Sequence, residues 1–280
     1  MTATEPGPLQ PTADGLRAGI DTSRPHPARV YDWFLGGKDN YPVDEALGRQ
    51  IMSLDQSAQH VARGNRAFMR RATAWLAAEA GIRQFLDIGS GIPTAPNLHQ
   101  IAQAYAPDAR VVYADNDPVV LAHSAALLHS TPEGAVDYLQ ADVRSPRRIL
   151  DLASATLDLS RPVAVSLVAL MHFVPDEDGA YAIVRHLVDA LPSGSHLVLS
   201  QLTPELDPVG VQRGVAMYAK GGVALAPRTR AETARFFEGL LPAAPGLVLL
   251  EDWHPELAAE GDEPRTATPV PLYAAVARKP

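Results

Sequence analysis

Cysteine is absent from this 280-residue chain. Disulfides, thiolate catalysis and cysteine-ligated metal sites are therefore excluded, and a reducing compartment is consistent with the composition. The histidines (His26, His60, His99, His123, His186 and His196 among them) lack metal-ligand spacing of the HExxH type, so no metal site is expected. Excess positive charge is missing too. Lys plus Arg number 24 and Asp plus Glu 32, so the net charge is 24 − 32 = −8. That balance disfavours broad electrostatic attachment to nucleic acid. The longest apolar run, Val163 to Val174, is too short to span a bilayer and contains His172. The first 25 residues are polar, rich in Pro, Thr and Gly, and carry no apolar signal-peptide core. A soluble, cytoplasmic protein without a membrane partner is expected. Its 46% apolar content is enough for a substantial core.

The order of elements follows from hydrophobic periodicity. Residues 1–24 read as a flexible tail. Val30 with Phe34 and Tyr31 with Leu35 are i,i+4 pairs of a helix over 28–35, stopped by Gly36. Asp44 is placed to cap a helix to about Met52, and Phe68, Trp75 and Leu76 mark one face of a longer helix over 64–79. Strands then alternate with helices. The strands are 85–88, 111–114, 137–140, 163–168 and 197–201; the helices are 98–105, 119–128, 149–156 and 181–191. A helix over 209–218 follows. A capping box of Thr229 and Glu232 opens another to about Leu240, and two last strands read at 247–252 and 272–277. Such alternation predicts an α/β fold: a Rossmann-like, doubly wound sheet of about seven strands, mostly parallel, with a C-terminal antiparallel strand. Residues 25–280 form one domain in this reading, with 25–80 a helical cap and 81–280 the Rossmann-like core.

The chemistry concentrates where strands end. Phe85 to Gly91 reads FLDIGSG, a strand closing in a glycine turn that lets backbone approach a nucleotide-like ligand. Asp115 ends the next strand, 24 residues after Gly91, where an acidic side chain accepts from ribose hydroxyls. Asp142 and His172 fall at the carboxyl ends of two further strands. Asp117 reads as the cap of the helix that follows it. Pro93 and Thr94 stand where a dinucleotide fingerprint needs its third glycine, and no phosphate-binding Gly-Lys-Ser/Thr occurs. Asp87 beside the turn repels a pyrophosphate and attracts a cation. Three carboxylates around one pocket favour a positively charged, phosphate-free nucleoside, and S-adenosylmethionine (SAM) is one.

On these residues the chain resembles class I SAM-dependent methyltransferases. FLDIGSG is similar to their first motif, Asp115 in VVYADNDP to the ribose-holding acid, and Asp142 with Val143 in QADVR to the pair that contacts adenine. SLVALMHFVPDED and PSGSHLVLSQ resemble their fourth and fifth strands. More narrowly, ARVYDWFLGGKDNY, NRAFMRRA, GIRQFLDIGSGIPT and RVVYADNDP resemble a family of SAM methyltransferases catalogued as a domain of unknown function, over about Pro25 to Lys279. WHPE (Trp253 to Glu256) departs from that pattern, in which an arginine follows the tryptophan. The resemblance implies SAM as cofactor and a small-molecule methyl acceptor as partner. It implies that Tyr31 and Gly37 belong to an extension folded over the pocket, and that Val168 and Ala169 contact the cofactor. Ser90 and Asn116 stand in the same turns as Gly89, Gly91 and Asp115 and are counted with them. His172 is the candidate general base, since an unperturbed imidazole titrates near pH 6.5; Tyr31 and Tyr218 are the other candidates. A SAM- or S-adenosylhomocysteine-binding protein without catalysis and a nicotinamide-dependent oxidoreductase are the alternative readings.

Overall fold

The computed structural model describes residues 21–54, 56–127, 129–259, 262 and 269–280. Most of the expected tail, Leu128, and much of the loop before the last strand lie outside the described residues. Three helices come first: α1 (Pro27–Phe34), α2 (Pro42–Leu54) and α3 (Ala58–Ala78). Asp44 does cap α2, but from inside the first turn: its Oδ2 accepts from Tyr41 N at 2.9 Å.

The alternating segment folds as β1 (Gln84–Ile88), α4 (Leu98–Tyr105), β2 (Arg110–Asp115), α5 (Pro118–Leu127), β3 (Ala135–Gln140), α6 (Pro146–Ala153), β4 (Ala164–Leu167), α7 (Ala180–Asp189) and β5 (His196–Leu202). Then come α8 (Pro208–Lys220), α9 (Arg230–Ala234), β6 (Leu241–Pro242), β7 (Val248–Leu249) and β8 (Leu272–Arg278). The sheet has eight strands in the order β3-β2-β1-β4-β5-β8-β6, with β7 also on β8. β1 to β5 pair in parallel, and β8 runs antiparallel to β5 with Leu199 opposite Ala275.

Two expectations need correction. The run 247–252 is a two-residue strand followed by a 3-10 turn at Leu250–Asp252, because Leu250 turns inward to the core and leaves the ladder. The capping box at Thr229 is present, but α9 has five residues and passes into a 3-10 turn that ends before Gly239 at φ +81°.

Alternation along each strand divides the core between two faces. Leu86, Ile88, Val112, Val165, Leu197 and Leu199 face α6 and α7. Phe85, Val111, Tyr113, Ala164 and Val198 face α3 and α4. The face bearing α3 is sealed by Trp253, fully buried and edge-on to Phe68 at 5.5 Å. The departure in WHPE is accommodated there. His254 Nε2 donates to Ala244 O at 2.8 Å and its Nδ1 lies 2.5 Å from Glu256 Oε1, while Arg71 donates to Trp253 O and Leu250 O, each at 2.8 Å. A smaller apolar cluster joins Val30 and Phe34 of α1, Leu47 and Ile51 of α2, Ala62 of α3, and Met217 and Tyr218 of α8. Thus α3 serves both layers, its first turns in the helical cluster and Phe68 to Leu76 in the sheet core. Among the described residues no helix is long and apolar enough to cross a membrane. Trp253→Ala, which empties a fully buried site, is expected to lower unfolding free energy by about 3–5 kcal/mol in denaturant titration.

Candidate active site

The strand order reverses between β1 and β4, and a crevice opens beyond their carboxyl ends, as this topology dictates. It is a cleft of about 420 Å³. Its floor is the turn after β1. Gly89 and Gly91 adopt φ of +72° and +66°, a region costly to residues with a Cβ. A Cβ on Gly89 would also lie 2.6 Å from Leu170, whereas one on Gly91 would meet nothing within 4 Å. The first glycine is needed for packing, and the second leaves open ground for a ligand.

Asp115 organises this floor. It is 7% exposed. One carboxylate oxygen accepts from Gly91 N and the other from Asp117 N, both at 2.9 Å. Each oxygen keeps a further lone pair for a ligand hydroxyl. Burial pushes the Asp115 carboxyl above the usual range, against the pull of those two amides. Asp87, at the end of β1, is pushed up to about 6, first by burial and further by Asp115; the Ser166 hydroxyl and the Arg66 guanidinium pull the other way. At the β3 end, Asp142 accepts from Arg144 N at 2.8 Å and from Asn116 Nδ2 at 3.2 Å.

Asp87, Gly89, Ser90, Gly91, Asp115, Asn116, Asp142, Val143, Val168, Ala169 and Tyr31 all line this one cleft. Gly37 does not. A Cβ there would fall 2.0 Å from Asp32 Oδ1, so this glycine answers to the turn that Asp32 caps through Asp39 N and Asn40 Nδ2, at 3.0 and 2.9 Å. His172 is not brought to the cleft either. It sits on a 3-10 turn, 7% exposed, with Nδ1 unbonded among the described residues. Burial, and then Arg228, push its imidazole down to about 3, so it is neutral and sealed away. Arg228 holds that turn by donating to Met171 O at 2.8 Å and Val174 O at 2.7 Å. The two tyrosines fare no better as bases. Tyr31 donates to Ala62 O at 2.8 Å, and burial raises both it and Tyr218 well above an ordinary phenol.

Sequence reasoning missed Asn65, Arg66 and Met69 on α3 and the segment Gly222–Ala224 after α8, which complete the walls. NRAFMRRA contained the first three, but no spacing rule tells which face of α3 overhangs the strand ends. Ala169, at φ +56°, is held by Ser200 Oγ, which accepts from its N–H at 2.9 Å and donates to Asn65 Oδ1 at 2.6 Å. The roof is latched by charge. Arg29 on α1 donates to Asp117 Oδ2 at 2.8 Å with both side chains buried, and His26 lies 3.2 Å from the same oxygen. Asp117 also caps α5, accepting from Val119 N at 3.0 Å, as its position suggested. Among the described residues no group of three or more His, Asp or Glu could hold a metal ion.

A parallel Rossmann-like sheet, a glycine turn after β1 and an acidic residue ending β2 form the nucleotide-binding frame that SAM-dependent methyltransferases share with dinucleotide-binding proteins. The family model described as S-adenosyl methyltransferase matches residues 13–280, and the chain belongs to that family. A DUF574 family protein from Streptomyces avermitilis MA-4680 is 49% identical, with 93% of this chain and 100% of that one covered and a TM-score of 0.89. A candidate methyltransferase from Thermobifida fusca YX is 38% identical over 93% and 97% of the two chains, with a TM-score of 0.83. A SAM-dependent methyltransferase from Anabaena variabilis ATCC 29413, at 13% identity, covers 93% and 98% with a TM-score of 0.50 and shares the fold. No curated protein matches the chain. The protein is thus a SAM-dependent methyltransferase, and the nicotinamide alternative is set aside.

The raised Asp87 has a consequence for stability. An acid whose folded pKa lies above its unfolded one binds its proton more tightly when folded. Its contribution is therefore greatest below the unfolded value of 3.8 and is lost as pH rises to about 6. Asp87→Asn lacks this penalty. Without ligand at pH 7 its thermal midpoint is expected to rise by about 2–4 °C, corresponding to on the order of 1 kcal/mol, and the decline between pH 4 and 6 to flatten in scanning calorimetry.

Proposed function

We propose that the cleft binds SAM along the carboxyl ends of β3, β2, β1 and β4, in that order, and that it methylates a small-molecule acceptor beside β4. The observation that carries this reading is the Asp115 carboxylate. It is buried at the base of the cleft and tied through both oxygens to the glycine turn and to Asp117, with a lone pair left on each oxygen. Two vicinal hydroxyls match that arrangement. The strand order sets out the rest as a ruler. Asp142 and Val143 at the β3 end take adenine, with Asn116 beside them. Asp115 at β2 takes the ribose. Gly89, Ser90 and Gly91 bring backbone against the amino-acid end, and Asp87 faces its ammonium. Val168 and Ala169 at β4 would contact the cofactor at that end of the cleft. The donor set fits the cofactor: the floor holds anionic side chains and no phosphate-binding loop.

The bound cofactor supplies a methyl group on an already activated sulfonium leaving group. The protein's share is positioning. Backbone at the glycine turn and at left-handed Ala169 would hold the cofactor against the strand ends. Alignment of an acceptor at about 3 Å supplies several kcal/mol by itself. Tyr31, Met69, Leu170 and Val223 wall the remaining space and exclude water. The three sequence-derived bases lie sealed or engaged, so the acceptor brings a lone pair that needs no strong base. A cleft of about 420 Å³ lies within the range of small-ligand pockets.

Calorimetric titration is expected to show binding of SAM and S-adenosylhomocysteine and none of NAD; preferred binding of NAD overturns the assignment. Asp115→Ala is expected to weaken SAM binding by about 10- to 150-fold, the equivalent of one to two hydrogen bonds to a charged group. His172→Ala is expected to leave SAM affinity within about twofold and to appear instead as lost stability, because the ring contacts the core and not the ligand. A collapse of SAM affinity in a folded His172→Ala protein removes the distinction drawn here.

A further inference from the structure

Among the described residues, Ala169 is the only one with a Cβ that lines the cleft at positive φ, +56°. Ser200 stands behind it. Two residues after Val198 on β5, Ser200 faces α3 and does not itself line the cleft. A hydroxyl has a single hydrogen, and that fixes the direction of the bonds around it. Ser200 Oγ accepts from Ala169 N at 2.9 Å, so its own hydrogen goes to Asn65 Oδ1, 2.6 Å away. The Asn65 amide is oriented in turn, and its Nδ2 donates to Val61 O at 3.3 Å. Ser200 and Asn65 are both buried, which keeps bulk water from competing for these bonds. One directional chain thus joins α3, β5 and the end of β4. The turn it holds reaches the floor of the cleft. Leu170, the next residue, lines the cleft and packs on Gly89, where an added Cβ would lie 2.6 Å from a Leu170 methyl carbon. A change of backbone conformation at Ala169 would redirect Leu170 and open that contact.

We propose that Ser200 is a positioning residue of the cofactor cleft, acting through the Ala169 backbone and oriented by Asn65. This rests on the reading of the cleft as a SAM site and adds to it a residue placed behind the wall. Left-handed backbone is costly for alanine and open to glycine. The hydrogen bond from Ala169 N to Ser200 offsets that cost, so the turn that shapes the cleft dominates. Without the bond the turn divides between conformers, and ligand affinity falls with the fraction that stays competent. Asn65 acts on the hydroxyl rotor: with the hydrogen committed to Oδ1, a lone pair of Oγ faces Ala169 N. The rival role is packing alone, in which Ser200 fills space between α3 and the sheet and the turn keeps its shape unaided.

S-adenosylhomocysteine is the probe, titrated calorimetrically, with the thermal midpoint of each variant measured beside it. Ser200→Ala is expected to weaken binding by about tenfold. Ala169→Gly supplies a second background, in which the same φ carries no strain. There, relative to Ala169→Gly alone, adding Ser200→Ala is expected to weaken binding by about threefold or less. Packing alone predicts a different pattern: the thermal midpoint falls equally in both backgrounds, and Ser200→Ala changes affinity by less than about twofold. That pattern, or a loss of affinity as large in the glycine background as in the wild type, overturns the proposal. Ser200→Cys, which keeps the shape with a weaker acceptor, is expected to fall between wild type and Ser200→Ala; it carries the same comparison if Ser200→Ala does not fold. A wild type that does not bind S-adenosylhomocysteine overturns instead the SAM reading beneath it.

Discussion

The site depends on one buried carboxylate being held in place by two backbone amides. Asp115 stands at the end of β2 and accepts from Gly91 N on one side and Asp117 N on the other. The first bond locks the turn after β1 to the neighbouring strand. The second orients the loop whose Asp117 caps α5 and pairs with Arg29 and His26. Floor, the loop after β2 and roof thus share a single node. A buried ion pair such as Arg29–Asp117 adds little net stability, since desolvation offsets much of its attraction, but breaking one side leaves a costly lone charge. Its value here is geometric: it fixes where α1 lies over the strand ends.

The electrostatics of the floor run against folding and toward binding. Asp87 and Asp115 are both pushed up by burial, so each gives up hydration to stand where it does. In the proposed SAM site, a cationic nucleoside returns what burial removed. The arrangement also explains why the glycine turn lacks the third glycine of a dinucleotide site. With Asp87 at the strand end there is no reason for backbone to approach a pyrophosphate. At the opposite wall, the left-handed turn at Ala169 is sustained by Ser200 and Asn65, both fully or nearly fully buried. Strain at such a position persists only when its surroundings over-determine it.

Much of the fold was legible. Strands that alternate between two buried faces have to be apolar on both sides, and helices beside them carry a stripe, so the pattern of β1 to β5 survives in the residues alone. What escaped were elements whose form depends on distant partners. Leu250 leaves the ladder because the core receives it, and α9 stops after five residues because its chain must turn back to pair with β8. In the site, residues at strand ends were legible because topology alone brings them together. Arg66 was not, since its place in the cleft wall depends on how α3 lies across the sheet. Gly37 looked like a loop glycine near a ligand, and its true neighbour is Asp32, five residues earlier.

His172 draws the line between the two kinds of knowledge. Its residue type and its place after β4 suggested a base, and both facts are correct. Which way the side chain turns is settled by Arg228, 56 residues further along, which bonds the carbonyls on either side and buries the ring. Local order therefore decided the strands, the glycine turn, the acid that ends β2 and the family likeness, because each rests on φ, periodicity or adjacency within a few residues. Long-range packing alone decided the roof, the tether from Gly91 to the Asp115 carboxylate, the place of Arg66 in the cleft wall and the burial of His172. Those depend on which surfaces meet, and that is a property of the folded chain as a whole.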